Sequence, residues 1–342
     1  MLMEKASKVN ALIVLPEGTE ERILKAARII TKQKIAKVIL LGKEEEIFEK
    51  GNSLSLDLNG IQVIDPSKFK EIEKYSEELY KRRMHRGLKL CEAKELILNP
   101  LYFGAIMVAL GDAHGMVVGA VTKTSDVMRA ALQVIPKAEN VKLVSSSFIM
   151  VIPDYEFGQR GIYVFADCAV NRFPDSEELA EIAFQSARTA VELIDMDAKV
   201  AFLTYSTKGS SMDACTEKVV QAVKIAQNKY PHSKYPKITF DGEFQLDTAI
   251  EPLVAEVKAP NSEIAGKANV LVFPNLEAGN IGYKLVHRFA NAEVIGPITQ
   301  GLSKPINNLS RGSSISDIIN SILVTILQST AKPIIPTKEI EE

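Results

Sequence analysis

The fold is decided by NALIVL at residues 10–15, PEGTEERILKAARIITKQ at 16–33 and KVILLG at 37–42. The first and third segments are short apolar runs typical of buried strands. Between them, apolar residues such as Ile23 and Ala27 recur at helical spacing. A strand, a helix and a second strand in this order require a crossover connection, so the strands are expected to lie parallel with helices on the faces of the sheet. This pattern predicts the α/β class.

The alternation of strand and helix continues through IQVID at residues 61–65 and GMVVGAV at 115–121. From about Val141 the pattern changes to two neighbouring strands joined by a short polar connection, and a helix is then expected from Ser176 to Ile194. A further strand is expected near Val294, followed by a turn at IGPITQG.

The change of pattern predicts two α/β domains with a boundary near residue 145. The first domain is expected to comprise residues 1–145 plus 299–342, and the second residues 146–298. The first domain is then discontinuous along the chain.

Length and charge exclude several classes of protein. A chain of 342 residues is longer than a single core usually supports, and 41 Lys and Arg against 43 Asp and Glu create no positive field for nucleic acid. Three widely spaced cysteines suit neither a disulfide framework nor a structural zinc site. The amino end lacks the apolar core of a signal peptide, and the apolar run at 318–327 is too short to span a bilayer. We expect a cytoplasmic protein with no nucleic-acid or membrane partner.

NNLSRGSSISD at residues 307–317 is the principal candidate site. Ser314 and Asp317 have the spacing of a capping box before an apolar helix, and Gly312 is expected to free the backbone after Arg311. A guanidinium beside the first amides of a helix attracts an anion such as phosphate, and a nearby carboxylate can accept a proton. A simple helix cap is the alternative that this segment alone leaves open.

Three other segments are candidate anion sites. TKTSD at residues 122–126 precedes a helix that carries Arg129, and STKGSS at 206–211 contains Lys208. Both are polar loops between a predicted strand and a predicted helix, where backbone amides can bind phosphate. KRRMHRG at 81–87 is a basic cluster. A capped helix, a solvated loop and a solvated helix face are the respective alternatives.

Several catalytic signatures are missing from the sequence. There is no GxGxxG, no P-loop, no GxSxG elbow and no HExxH, and the four histidines stand far apart. These observations disfavour nucleotide hydrolysis, covalent serine chemistry and zinc, and no metal or bound cofactor is expected.

Seven motifs resemble the phosphate acetyltransferase family in order and spacing, almost from end to end. They are LYKRRMHRG, NPLYFGAIMVALGDAHGMVVGAV, TSDVMRAALQVI, FADCAVN, FLTYSTKGS, FPNLEAGNIGYKL and NNLSRGSSISDI. The resemblance implies two α/β domains around a cleft, as in isocitrate and isopropylmalate dehydrogenases, usually in a homodimer. It also implies reversible acetyl transfer between acetyl phosphate and coenzyme A, with coenzyme A as a substrate and phosphate as a product.

The resemblance also assigns roles to residues. Catalysis falls on Ser310, Arg311 and Asp317, with Asp317 as general base for the thiol. Substrate or coenzyme A binding falls on Arg83 and Arg129. The predicted substrate-binding set is completed by residues of the loops described above, which are Ser125, Lys208 and Asn307.

Three other functions remain open from the sequence. Phosphate butyryltransferase is homologous and differs in its acyl pocket, so activity with butyryl phosphate would distinguish it. A hydroxyacid dehydrogenase of related fold lacks support because no nucleotide fingerprint is present. A non-catalytic module that binds coenzyme A or an acyl phosphate is the third, and the presence of Ser310, Arg311 and Asp317 argues against it.

Overall fold

The computed structural model describes residues 2–331. Within this range the strands are β1 (Leu12–Leu15), β2 (Lys37–Leu41), β3 (Gln62–Ile64), β4 (Gly115–Val118), β5 (Ser145–Val151), β6 (Ile162–Ala166), β7 (Ala198–Leu203), β8 (Ile238–Phe244), β9 (Val270–Val272), β10 (Glu293–Gln300) and β11 (Ile306–Asn308). The α-helices are α1 (Leu2–Ser7), α2 (Glu21–Lys32), α3 (Glu44–Ser53), α4 (Ile72–Arg83), α5 (Leu90–Leu96), α6 (Pro100–Leu110), α7 (Thr124–Val134), α8 (Phe157–Arg160), α9 (Ser176–Ile194), α10 (Ala214–Lys229), α11 (Leu246–Ile250), α12 (Pro252–Lys258), α13 (Leu276–Phe289) and α14 (Ile315–Thr330).

The described chain separates into two compact units. The first contains residues 2–139 and 302–330, and the second contains residues 140–301. The sequence placed the two boundaries near residues 145 and 299. Residues 332–342 of the predicted first domain lie outside the described residues.

The first unit is built on a parallel sheet of five strands in the order β11-β4-β1-β2-β3. One face of this sheet packs against α4, α5, α6 and α7, and its strands contribute core residues such as Val14, Met116 and Ile306. Helices α2 and α14 pack on the opposite face. The order of strands reverses between β1 and β4, and the carboxyl ends of strands at such a reversal are where open α/β sheets bind ligands.

The second unit is built on a mixed sheet of six strands in the order β10-β5-β6-β9-β7-β8. Strand β5 is antiparallel to β6 and to β10, and the remaining pairs are parallel. Helix α9 packs along one face, and aromatic residues such as Phe165 and Phe273 fill the core on the other. The two units confirm the predicted α/β class, and the antiparallel β5-β6 pair matches the expected neighbouring strands.

Residues 295–300 of the IGPITQG segment, which is predicted as a turn, belong to strand β10, and only Gly301 lies beyond it. Gly296 and Pro297 favoured a turn, but they lie at a shift of register between Ile295 and Ile298 where β10 pairs with β5. Because β10 is an edge strand, a proline and an irregularity are tolerated there.

No single helix among residues 2–331 is long and apolar enough to cross a membrane. One pair of helices, α5 and α6, has the combined length and composition, but it is bent by 104°. Most of α6 is buried in the core of the first unit.

Candidate functional site

The loop after β11 and the start of α14 carry the three residues predicted to be catalytic. The Ser314 amide donates to Asp317 Oδ2 at 2.8 Å, and the Asp317 amide donates to Ser314 Oγ at 3.2 Å. This reciprocal pair is the predicted capping box. Gly312 does not adopt a left-handed conformation, so the expected use of its backbone freedom is not observed.

Ser310 and Arg311 are exposed in this loop. The Ser310 hydroxyl accepts the Gly312 amide at 3.3 Å. Among residues 2–331, the Arg311 guanidinium has no hydrogen-bond or ion-pair partner, and Oδ1 of Asp317 accepts no hydrogen bond. One cation and one carboxylate oxygen are therefore available to a ligand next to the first amides of a helix, which themselves favour an anion.

The two asparagines of β11 point to opposite faces of the sheet. Asn307 is 1% exposed and donates to Thr325 Oγ1 at 2.8 Å and to Gln328 Oε1 at 2.6 Å. These contacts fasten β11 to α14, so the geometry lends no support to the predicted contact of Asn307 with substrate. Asn308 lies on the other face, where its amide donates to Thr124 Oγ1 at 3.2 Å. The alternation of side chains along a strand explains the difference.

The loop between β4 and α7 is held by a carboxylate that the sequence analysis missed. Glu17, just after β1, accepts the amides of Gly119, Ala120, Val121 and Thr122 at 2.7–2.9 Å, and it also accepts the Thr122 hydroxyl. These amides form the kind of concavity that binds a phosphate, but the chain fills it with its own carboxylate. An anion at this loop would have to use the first turn of α7 instead.

Ser125 and Arg129 lie on the first two turns of α7. Ser125 is exposed. The Arg129 guanidinium is also exposed and pairs with Asp126 at 2.9 Å. A surface pair of this kind contributes little to stability, so Arg129 can exchange Asp126 for a phosphate at low cost.

Arg83 lines a cavity of about 350 Å³. The other lining residues are Arg86, Gly87, Leu88, Glu92, Leu96, Tyr102 and Gln133. Gly87 has a φ of 88°, which lets the chain turn at the end of the basic cluster. Within the part of the chain that the structure describes, the Arg83 guanidinium has no ion-pair or hydrogen-bond partner.

Tyr102 links the cavity that Arg83 lines to α7, the helix that carries Arg129. Burial raises the pKa of the Tyr102 phenol, and the positive charges of Arg129 and Arg83 oppose that shift. The Tyr102 hydroxyl donates to Gln133, which lies one turn after Arg129 on α7. Arg83, Tyr102 and Gln133 line the same cavity, and Arg129 precedes Gln133 by one turn on the same helix.

Lys208 belongs to the second unit. Its ammonium group donates to Asp241 at 2.5 Å and to the Gly242 carbonyl at 2.8 Å. The Gly209 amide and the Ser206 hydroxyl of the same loop donate to buried Glu243. The Lys208 charge is therefore neutralised by Asp241, and the hydrogen-bond donors of the loop are already used by Glu243. The geometry offers little support for the predicted anion site at STKGSS.

Arg22, at the start of α2, is the second residue that the sequence analysis missed. Its guanidinium donates to the carbonyls of Arg311 and Ser313 at 2.9 and 2.8 Å, and to the Ala120 carbonyl at 3.0 Å. It also pairs with Glu20. Arg22 therefore joins the loop that carries Arg311 to the loop that precedes α7.

In residues 2–331, no group of three or more His, Cys, Asp or Glu side chains is placed to hold a metal ion.

Comparisons with known proteins identify the family. The family model described as "Phosphate acetyl/butaryl transferase" matches residues 1–326. The chain is 48% identical over 328 residues to a phosphate acetyltransferase of Thermoanaerobacterium thermosaccharolyticum, covering 96% of this chain and 98% of the relative. It is 45% identical over 328 residues to the phosphate acetyltransferase of Bacillus subtilis, with the same two coverages.

A solved structure agrees with these sequence matches. The phosphotransacetylase EutD from Staphylococcus aureus superposes with a TM-score of 0.88 at 42% identity, covering 96% of this chain and 97% of that one. On these matches, the chain belongs to the phosphate acetyltransferase family of acyl-transferring enzymes.

Proposed function

We propose that this chain catalyses reversible transfer of an acetyl group between acetyl phosphate and coenzyme A, giving acetyl-CoA and phosphate. Coenzyme A is a substrate here, and no metal or bound cofactor is part of the proposal. The observation that carries it is the short segment in which an exposed, unpaired Arg311 guanidinium precedes Asp317, whose Oδ1 accepts no hydrogen bond within residues 2–331. The names of the related proteins support the same reaction.

Asp317 is proposed as the general base. A free thiol has a pKa of about 8.5, so a base that removes its proton during attack raises the rate near neutral pH. The cap does not prevent this role, because Oδ2 holds the Ser314 amide and Oδ1 is left to receive the proton. The thiolate sulfur then forms a bond to the acetyl carbon.

Arg311 and Ser310 are proposed to stabilise the charge that this attack creates. The carbonyl oxygen becomes negative in the tetrahedral intermediate, and the bond from the acetyl carbon to the phosphate oxygen then breaks. The guanidinium, the hydroxyl and the first amides of α14 are donors for the oxyanion and the leaving phosphate. Loss of one such donor typically costs about 3 kcal/mol of transition-state stabilisation.

Arg83 and Arg129 are proposed to hold the phosphate groups of coenzyme A. A forked guanidinium matches a phosphate well, and the cavity beside Arg83 is large enough for part of a nucleotide. Ser125, exposed on the first turn of α7, is proposed as a further donor to a substrate phosphate.

The proposed reaction is tested by following thioester absorbance with coenzyme A and acetyl phosphate, then with butyryl phosphate. We expect a much larger kcat/KM for acetyl phosphate. A preference for butyryl phosphate would assign the chain to the butyryl branch of its family, and no thioester with either donor would favour a non-catalytic binding module.

We also propose that the protein acts as a homodimer in the cytoplasm. Helix α13 exposes Ile281, Leu285 and Phe289 at intervals of four residues, with 59, 49 and 84% exposure. Residues at this spacing form one apolar stripe, and a second copy of the same stripe is a natural cover for it. The cytoplasmic location is supported by the three cysteines, which are all unpaired.

The dimer is tested by measuring molar mass in solution by light scattering. Phe289→Asp is expected to shift the mass from dimer toward monomer. Phe173→Asp is the matched control, because Phe173 is 77% exposed but lies outside α13. A wild-type monomer, or a Phe289→Asp dimer of unchanged affinity, would contradict this assignment.

A further inference from the structure

Two loops at the carboxyl ends of neighbouring strands of the first unit are joined by the side chain of Arg22, in the first turn of α2. Strand β4 lies between β1 and β11 in the sheet. The loop after β4 leads to α7, and the loop after β11 carries Ser310 and Arg311. Neither Glu17 nor Arg22, which hold these loops, belongs to the set that the proposed reaction uses.

Glu17 and Arg22 hold the backbone in complementary ways. The Glu17 carboxylate accepts the amides of the loop after β4, as described above. The Arg22 guanidinium donates to one carbonyl of that loop and to two carbonyls of the loop after β11. Charge-assisted hydrogen bonds of this kind are stronger than neutral ones, and here they fix the path of the backbone in both loops.

The contact at the Arg311 carbonyl has a direct consequence for the Arg311 side chain. The Arg311 guanidinium has no partner among residues 2–331, so no side-chain contact there fixes its direction. Its approach to a substrate is set by the backbone from which it extends. Arg22 holds that backbone on both sides of Gly312, through Arg311 and Ser313.

We propose that Arg22 is a positioning residue that aims Arg311 at the reacting acetyl phosphate. This inference rests on the proposed acetyl transfer. It assigns Arg22 no contact with substrate. It predicts that loss of the guanidinium fork lowers kcat by misplacing Arg311, whereas the affinity for coenzyme A is set elsewhere, at Arg83 and Arg129.

The test compares Arg22→Gln and Arg22→Lys with Arg28→Gln. Arg28 is a matched control because it lies on the same helix and pairs with Asp57 and with the Asn59 carbonyl. A misplaced catalytic group can lower the reaction rate by about 10²-fold, so Arg22→Gln is expected to lower kcat by about that factor. The KM for coenzyme A is expected to change by less than about threefold. Arg22→Lys keeps the charge but not the fork, so its kcat is expected to fall between wild type and Arg22→Gln. Arg28→Gln is expected to behave like wild type.

Amide hydrogen exchange gives a readout that does not depend on activity. Peptides covering residues 309–314 and 119–122 are expected to exchange faster in Arg22→Gln and unchanged in Arg28→Gln. An unchanged kcat, or a lower kcat without faster exchange in these loops, would overturn the proposal. If Arg22→Gln does not fold, the same two criteria apply to Arg22→Lys. If the wild type forms no thioester, the proposed function fails, and exchange alone decides whether Arg22 holds the loops.

Discussion

At the scale of single residues, the candidate site is held by one local pair, Ser314 with Asp317, and by two side chains from distant parts of the sequence, Glu17 and Arg22. The capping box of Ser314 and Asp317 follows from a spacing of three residues, and the structure contains it. Arg22 lies 289 residues before Arg311, and Glu17 lies 102 residues before Gly119, so no local pattern connects either pair. The roles of both residues can be recognised only once the sheet order places β1, β4 and β11 side by side.

Arg83 is expected to anchor coenzyme A and to take no part in the chemistry. A contact made equally in the ground and transition states changes KM and not kcat. Arg83→Gln should therefore raise KM for coenzyme A and leave KM for acetyl phosphate nearly unchanged. Lys81→Gln removes a neighbouring exposed charge outside the cavity and serves as the control.

Dephospho-coenzyme A identifies the group that Arg83 holds. If Arg83 binds the 3′-phosphate, Arg83→Gln should matter much less with this analogue, which lacks that phosphate. An equal penalty with both substrates would place Arg83 at the pyrophosphate or in a structural role.

Arg311 is expected to act on the transition state in both directions. Because the same charge develops whichever way the acetyl group moves, Arg311→Gln should lower kcat for the synthesis and for the phosphorolysis of acetyl-CoA, by about 10² or more. Initial rates measured from each side test this. A rise in KM for acetyl phosphate with kcat preserved would show that Arg311 only binds.

At the scale of helices and strands, long apolar or periodic segments were predictable and short polar ones were not. The expected helix from Ser176 to Ile194 has the observed bounds of α9. Strand β11 is three residues long and two of them are asparagines, so it lacks the apolar run that marks a buried strand. Once β11 is known to be a strand, alternation alone separates Asn307 from Asn308.

Asn307 is expected to hold α14 against β11. Asn307→Ala removes the hydrogen bonds donated to Thr325 and Gln328 and leaves their acceptor oxygens without these donors. The free energy of unfolding should therefore fall by about 2 kcal/mol. The KM values of the folded variant should stay near those of wild type. Denaturant unfolding measures the first effect, and Asn52→Ala, at an exposed position of α3, is the control for the same chemical change. A stable variant with a raised substrate KM would restore the predicted binding role.

At the scale of the whole molecule, the alternation of strands and helices predicts the α/β class and two domains, but it does not by itself place the carboxyl-terminal helix with the first one. Residues 302–330 pack with residues 2–139 because β11 adds to the edge of the first sheet beside β4. That pairing joins residues 190 positions apart in the sequence, such as Val117 and Asn307, and no sequence pattern within either segment encodes it. It also brings the loop that bears Arg311 beside the loop after β4, which is one of the two strands at the reversal of strand order.

The central claim is that this loop and the first turn of α14 form the reaction centre, with Asp317 as the base. The most direct measurement is kcat for thioester formation by Asp317→Asn beside wild type. Asparagine keeps an oxygen for the Ser314 amide but cannot accept the thiol proton, so the cap can persist while the base is lost. We expect kcat to fall by about 10² or more with modest change in either KM. An unchanged kcat would contradict the claim and leave Asp317 as a helix cap alone.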